Sequence, residues 1–397
     1  MRRLATAAGL GVLALVAGCA AVAWPHGSKL VPRHGGHPVG DALWSWLFLG
    51  FACAAFLLYV AGLALLRRGG RLRIVTALAL AIQLAPLAAP LLISTDAWTY
   101  WDYGRIAAVH GANPYVSNPD DFPRDPAFRH VGTGWWDTSS VYGPAFTLAS
   151  EPLALADGRS AAAAAWTYKA LAAAAMVAIV LLVGRLTASP FAVAFAGWNP
   201  LLALHLAGGG HNDAWMAALV VAALALAASG RRQLAAAAWA LAILVKWVPV
   251  LFLGLRAVEA RRTARHVGHL GFAAAAALVL GLATWRYGSH WLDAFGPLAR
   301  NANRESRYAI PHRLGGHPAA LAFGAAFALA YLWLLREAWR GRARLGLCAG
   351  LLLVATPWLV PWYAIWAVPL AAIDDDRPAQ LLALGFTGYM LRIAIPL

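Results

Sequence analysis

Apolar stretches as long as a bilayer is thick recur along this chain, and they leave few architectures open to it. Runs rich in Ala, Leu and Val occupy residues 4–24, 43–66, 74–93, 161–183, 191–206, 214–228, 234–255, 267–285, 321–335, 345–356, 365–373 and 381–395. About 20 such residues cross the hydrocarbon core as a helix, which satisfies its own backbone where no water can. The expected fold is therefore an all-α, polytopic integral membrane protein with about 11–13 transmembrane helices, several of them short for a simple crossing. Charged residues make up 12% of the 397, against ~25% in soluble domains, which argues against a water-soluble globule.

The formal net charge is +15, yet the arginines sit in short clusters between apolar runs and build no continuous face, so nucleic acid is not an expected partner. They read as topology signals. Arg67, Arg68, Arg71 and Arg73 follow the second run and mark an inner loop, which puts the N-terminus inside and the chain after residue 93 outside. Arg2, Arg3 and the residues up to Cys19 resemble a cleavable lipoprotein signal, but apolar sequence continues to Trp24 and many spans follow, so a retained first helix is expected. Cys19, Cys53 and Cys348 lie inside apolar runs without paired spacing, so neither a disulfide nor a zinc site is expected.

Residues 94–144 form the one long polar insertion, and it begins with a carboxylate, Asp96, where hydrocarbon ends. An acid at that depth can serve an enzyme acting on a lipid-linked substrate; it can equally be a helix N-cap. Trp98, Tyr100, Trp101 and Tyr103 predict a short helix over residues 96–109 lying flat at the interface, ended by Gly111, Asn113 and Pro114. Residues 95–160 are thus expected to be an external catalytic loop with interfacial helices, and residues 286–316 a second external loop, in a single domain of residues 1–397.

Lys246, Trp247 and Pro249 interrupt residues 234–255, and a hairpin that dips partway into the bilayer would satisfy both this length and the arginines on either side. Lys246 is then a functional cation in need of an anion, or a snorkelling lysine at the end of an ordinary span. Arg300, Arg304, Arg307 and Arg313 make the second outer loop unusually basic, either for an anionic ligand or as a solvated surface. The turn Gly208-Gly209-Gly210-His211-Asn212-Asp213 lacks the Lys-Ser/Thr ending of a phosphate loop. Asp374, Asp375 and Asp376 fall on the inner side and read as a hydrated loop in preference to a metal cluster.

Taken in order, Ser94-Thr95-Asp96-Ala97-Trp98-Thr99-Tyr100, Gly111-Ala112-Asn113-Pro114-Tyr115, Tyr142-Gly143-Pro144, Asn199-Pro200-Leu201, Gly209-Gly210-His211-Asn212-Asp213, Leu244-Val245-Lys246 and Pro361-Trp362-Tyr363 resemble the GT-C superfamily of membrane glycosyltransferases. The nearest resemblance is to the polyprenol-phosphate-mannose-dependent α-1,6-mannosyltransferases, close to glycosyltransferase family 87. It implies transfer of a hexose, mannose by the same resemblance, from a polyprenyl-phosphate-sugar donor to a lipid-linked or glycan acceptor, with inversion, in envelope glycan synthesis at the external face of the cell membrane. Many such enzymes carry paired acids in the first external loop. Here Ala97 follows Asp96, so Asp96 alone is the expected base, with Asp102 as fallback. The departing phosphate is assigned to Arg304, Arg307, Arg313 and Lys246, with Arg105 less directly placed.

Substrate contacts are expected from Asp102, Arg105, Tyr142, His211, Asn212, Asp213, Trp362 and Tyr363; His211 can instead be a packing residue, and Trp135, Trp136 and Tyr142 interface anchors. No cofactor is expected, and a divalent metal is neither expected nor excluded. The alternative is a transporter or flippase of lipid-linked sugars, which would place ionisable groups along a path across the bilayer. The candidates gather instead at the outer edge, with only Lys246 deeper.

Overall fold

A computed structural model of the chain describes residues 2–25, 27–262, 268–303 and 306–397. Among them every regular element is helical, apart from one isolated bridge between Ser28 and Asp41. The helices are α1 (Arg2–Ala21), α2 (Ala42–Leu66), α3 (Leu72–Leu84), α4 (Asp96–Ala108), α5 (Pro144–Asp157), α6 (Ala161–Thr187), α7 (Pro190–Gly197), α8 (Pro200–Gly209) and α9 (Asp213–Ala228). They continue as α10 (Arg232–Val245), α11 (Pro249–Arg262), α12 (His269–Tyr287), α13 (Phe295–Asn303), α14 (Ile310–Gly315), α15 (His317–Trp339), α16 (Leu345–Ala355), α17 (Ala364–Asp374) and α18 (Arg377–Met390).

Five helical stretches among the described residues are long and apolar enough to cross a membrane: Arg2–Ala21, Ala42–Leu66, Ala161–Thr187, His269–Arg300 and His317–Trp339. A sixth is the pair α7 and α8, bent by 49° at Trp198 and Asn199, and four shorter apolar helices accompany them. The chain is an all-α polytopic membrane protein. Its last long helix, α15, has only 6% of its apolar window buried, so nearly all of that surface is left for lipid.

The bend between α7 and α8 holds because buried polar groups take over the backbone bonds it frees. Asn199 caps α8 by accepting from Leu202 N, and its amide donates to Thr387. Gln83, fully buried in α3, donates to the carbonyls of Gly197 and Asn199. Each such carbonyl left bare in hydrocarbon costs several kcal/mol. Trp198 at the bend donates to Val75 O and packs over Gly9 of α1, where a Cβ would come within 2.7 Å of its ring.

Two expectations are corrected. Residues 74–93 do not make one span: α3 stops at Leu84, because Pro86 and Pro90 cannot donate to a continuing helix, and a 3-10 turn (Ala85–Ala88) leads into irregular chain. The helix expected to lie flat at the interface exists as α4, but residues 97–107 are all buried within protein. Its aromatics spend their polar ends internally, Trp98 on Ala161 O and Tyr103 on Thr138 O. Gly104 lets α4 and α5 touch, since a Cβ there would sit 2.3 Å from Ser150 O.

Candidate functional site

Asp96 reaches its position by an irregular approach in which three successive amides are bonded. Leu92 N donates to Gly208 O, Ile93 N to Leu30 O and Ser94 N to Leu92 O, with Ile93 held at φ 64°, a conformation a β-branched residue seldom adopts. Asp96 N then donates to Ser94 Oγ at 3.2 Å and α4 begins. The Asp96 carboxylate does not cap its own helix. Its Oδ2 lies 3.1 Å from His211 Nδ1.

That contact has a wet side and a dry side. The Asp96 side chain is 17% exposed and the His211 side chain 0%, and the imidazole stacks on Trp362 at 3.6 Å with 14° between planes. The other ring nitrogen, Nε2, is buried and has no hydrogen-bond partner. Burial pushes the Asp96 carboxyl upward, but the hydrogen bond and charge of His211 and the ammonium of Lys246 outweigh it and hold the group below the ordinary carboxylate range. Asp96 is thus an accessible, ionised carboxylate backed by a buried imidazole.

A second acid stands next to it. Gly210, at φ 73°, ends α8, and a Cβ there would lie 3.3 Å from that of Ala97, so the α8–α9 turn is pressed against the start of α4. Asp213 opens α9 fully buried, and both its oxygens accept from Lys246 Nζ, at 2.7 and 2.8 Å. Trp366 Nε1 donates to Oδ1 at 2.7 Å. Lys246 sits in extended backbone between α10 and α11, where the predicted break in residues 234–255 is found. Its ammonium lies 4.9 Å over Tyr363 and 5.7 Å over Trp366, two rings stacked at 3.9 Å.

Tyr100 OH donates to Asn212 Oδ1 and meets Tyr142 edge-on at 5.1 Å. Asp96, His211, Asn212, Asp213, Lys246, Tyr142, Trp362 and Tyr363, far apart in sequence, therefore form one cluster. Tyr100 and Trp366 belong to it and were not expected there. Trp366 stands three residues after Tyr363, hence on the same helical face, but that signal is masked by the apolar run around it.

Asp102 and Arg105 are not brought into the cluster. Arg105 makes a two-pronged pair with Asp125 (2.7 and 2.9 Å), Asp125 also pairs with His110 Nε2 at 2.7 Å, and Arg105 donates to Gly158 O. Hydrogen bonds from Arg105, Ala127 N and His110 overcome burial and keep Asp125 below the usual carboxylate range. Asp102, 1% exposed, is pushed up to about 8 by burial and by the charge of Asp125.

Arg307 and Arg313 are exposed and lie over Tyr308 (4.7 Å) and Tyr389 (5.5 Å). Their loop is tied to the turn that carries Trp362, by Ser306 N to Pro357 O and Ser306 Oγ to Leu359 O. Arg304 lies outside the described residues. Asp374 accepts from Gly346 N, Asp375 from Gln380 and Asp376 from Arg344, so all three acids of that run have structural partners. Among the described residues no three His, Cys, Asp or Glu side chains converge as a metal site. A cavity of about 460 Å³ among α9, α10 and α11 is lined by Trp239, Arg256, Glu259 and Asp374 and includes no residue of the cluster.

Chemically the cluster offers a base with access to solvent, a cation beside it, and aromatic faces around both. Residues 5–262, more than half of the chain, match the family model described as alpha-(1->6)-mannopyranosyltransferase, N-terminal domain. Three curated relatives share about a quarter of their residues with it. Alpha-(1->6)-mannopyranosyltransferase A of Mycobacterium tuberculosis is 26% identical, covering 79% of this chain and 68% of the relative. Alpha-(1->6)-mannopyranosyltransferase B of Corynebacterium glutamicum is 26% identical over 88% and 68%. A probable alpha-(1->6)-mannopyranosyltransferase of Mycolicibacterium smegmatis is 27% identical over 78% and 65%. No solved structure matches the chain.

Proposed function

We propose, from the premise that this chain belongs to the alpha-(1->6)-mannopyranosyltransferase family and is a membrane glycosyltransferase, that it moves mannose from a polyprenyl-phosphate donor onto a lipid-linked or glycan acceptor at the external face of the cell membrane. The observation that carries this reading is the Asp96 carboxylate, accessible on one side and held by His211 on the other, beside the Lys246–Asp213 pair.

In the proposed reaction an acceptor hydroxyl attacks the anomeric carbon as its proton passes to Asp96. The bond from that carbon to the phosphate oxygen breaks on the opposite face, and configuration inverts. The leaving group is already a stable phosphate anion, so it needs positive charge in a preorganised site more than it needs a proton. Lys246 supplies that charge in our reading, with Arg304, Arg307 and Arg313 contributing from the second outer loop. Asp213 and the rings of Tyr363 and Trp366 keep the ammonium from swinging to water. Trp362, Tyr142 and Asn212 line the place where the sugar is held, and the mannan-type linkage is carried over from the relatives' names.

Purified protein in vesicles, given radiolabelled polyprenyl-phosphate-mannose and a mannan oligosaccharide, tests the proposal. Label covalently on the acceptor supports it; label crossing the membrane without transfer would replace it with the transporter reading.

A further inference from the structure

Lys169 has no place in the chemistry above, yet it is a cation buried to 1% exposure in α6, a membrane-crossing helix. An ammonium taken out of water costs several kcal/mol unless it is paired or fully hydrogen-bonded. Among the described residues its ammonium bonds to no carboxylate. Nζ donates to three backbone carbonyls, those of Leu87 (3.4 Å), Ala89 and Pro90 (3.3 Å), and lies 4.4 Å over the ring of Trp166. Those are the carbonyls released where α3 stops and two prolines prevent its continuation. Three donors meet three orphan acceptors.

The segment so held is the approach to Asp96. Five residues separate Pro90 from Asp96, and among them lie the strained Ile93 and the Leu92 bond to Gly208 O. The backbone of Lys169 is also in contact with the other half of the cluster: a Cβ on Gly210, the residue before His211, would lie 3.2 Å from Lys169 N. One residue therefore touches both segments whose ends make the 3.1 Å contact between Asp96 and His211.

We infer that Lys169 is a positioning residue for the transfer reaction, holding the 87–93 segment so that the Asp96 carboxylate stays on His211 and faces the acceptor. The inference rests on the reading of Asp96 as the base. It separates Lys169 from Lys246, which in our reading meets the donor itself. Losing Lys169 should misplace the base while leaving donor binding in place, because the contacts described above for Lys169 are with Leu87, Ala89, Pro90, Trp166 and Gly210, none of which is assigned to the phosphate or the sugar.

The test uses the full-length protein purified with Lys169→Met, Lys169→Arg and Asp96→Asn, each assayed with polyprenyl-phosphate-mannose and mannan acceptor. Lys169→Met, close in length and without donors, should lower kcat at least tenfold with KM for the donor within about twofold, and Lys169→Arg should restore part of the loss. A folded Lys169→Met protein with wild-type kcat, or one whose loss falls on KM alone, overturns the inference. Asp96→Asn separates the two readings: if it is inactive while Lys169→Met is normal, only the positioning role fails, and if it turns over normally the assignment of the base itself fails. Should Lys169→Met not fold, hydrogen exchange in the wild-type protein decides. The amides of Leu92 and Ile93, outside any helix, should exchange as slowly as those of α6, and rapid exchange there would overturn the inference.

Discussion

The two ends of α4 carry the same kinds of residue and do opposite things with them. At the start, Asp96 faces a buried imidazole and keeps one side open. Two turns later Asp102 is closed off, and Arg105 is spent on Asp125, which sits in the loop that follows. An accessible carboxylate held ionised is useful as a base; a buried carboxyl pushed up to about 8 keeps its proton at neutral pH and accepts nothing. Partner and exposure, more than residue type, set the role of each acid.

The strongest way to break this contrast is Asp96→Asn, which should lower kcat by about 10³-fold with thermal stability and donor binding unchanged; transfer at the wild-type rate would erase the distinction. At the other end, Arg105→Met leaves Asp125 buried without its main partner and should cost about 3–5 kcal/mol of stability. It should show in thermal unfolding, with kcat per folded molecule kept. Lys246→Met should lower kcat/KM for the donor by roughly tenfold to a hundredfold, about 1.4–2.7 kcal/mol, and, by leaving buried Asp213 unpaired, should also lower thermal stability. Asp102→Asn should be nearly silent in transfer, within about twofold.

Its effect belongs to stability, and the sign follows from the raised pKa. Above ~4 the unfolded chain ionises this carboxyl while the folded protein keeps the proton up to about 8. Stability is therefore lost as pH rises between those values and levels off above them. Asp102→Asn should remove that slope in unfolding measured against pH.

Much of the fold was legible in the sequence because the length of an apolar run is a one-dimensional signal. The break at Lys246 was legible too, since a helix cannot carry an unpaired cation and a proline through lipid without interruption. So was most of the cluster, through short motifs at Asp96, His211, Lys246 and Trp362. What could not be read was partnership. Tyr and Trp suit an interface and a protein interior equally, so nothing local in residues 97–107 announced that α4 would be enclosed. Arg105 finds Asp125 across a folded loop, and Lys169 finds carbonyls, which carry no side-chain signature at all.

The pH dependence of kcat/KM for mannosyl transfer, followed from pH 4 to pH 9, tests the central claim most directly. An ionised Asp96 predicts a rate that holds level through neutrality and declines only at the acid end, below the ordinary carboxylate range. An inflection near 8, where Asp102 takes up its proton, would contradict it and move the base to the middle of the helix.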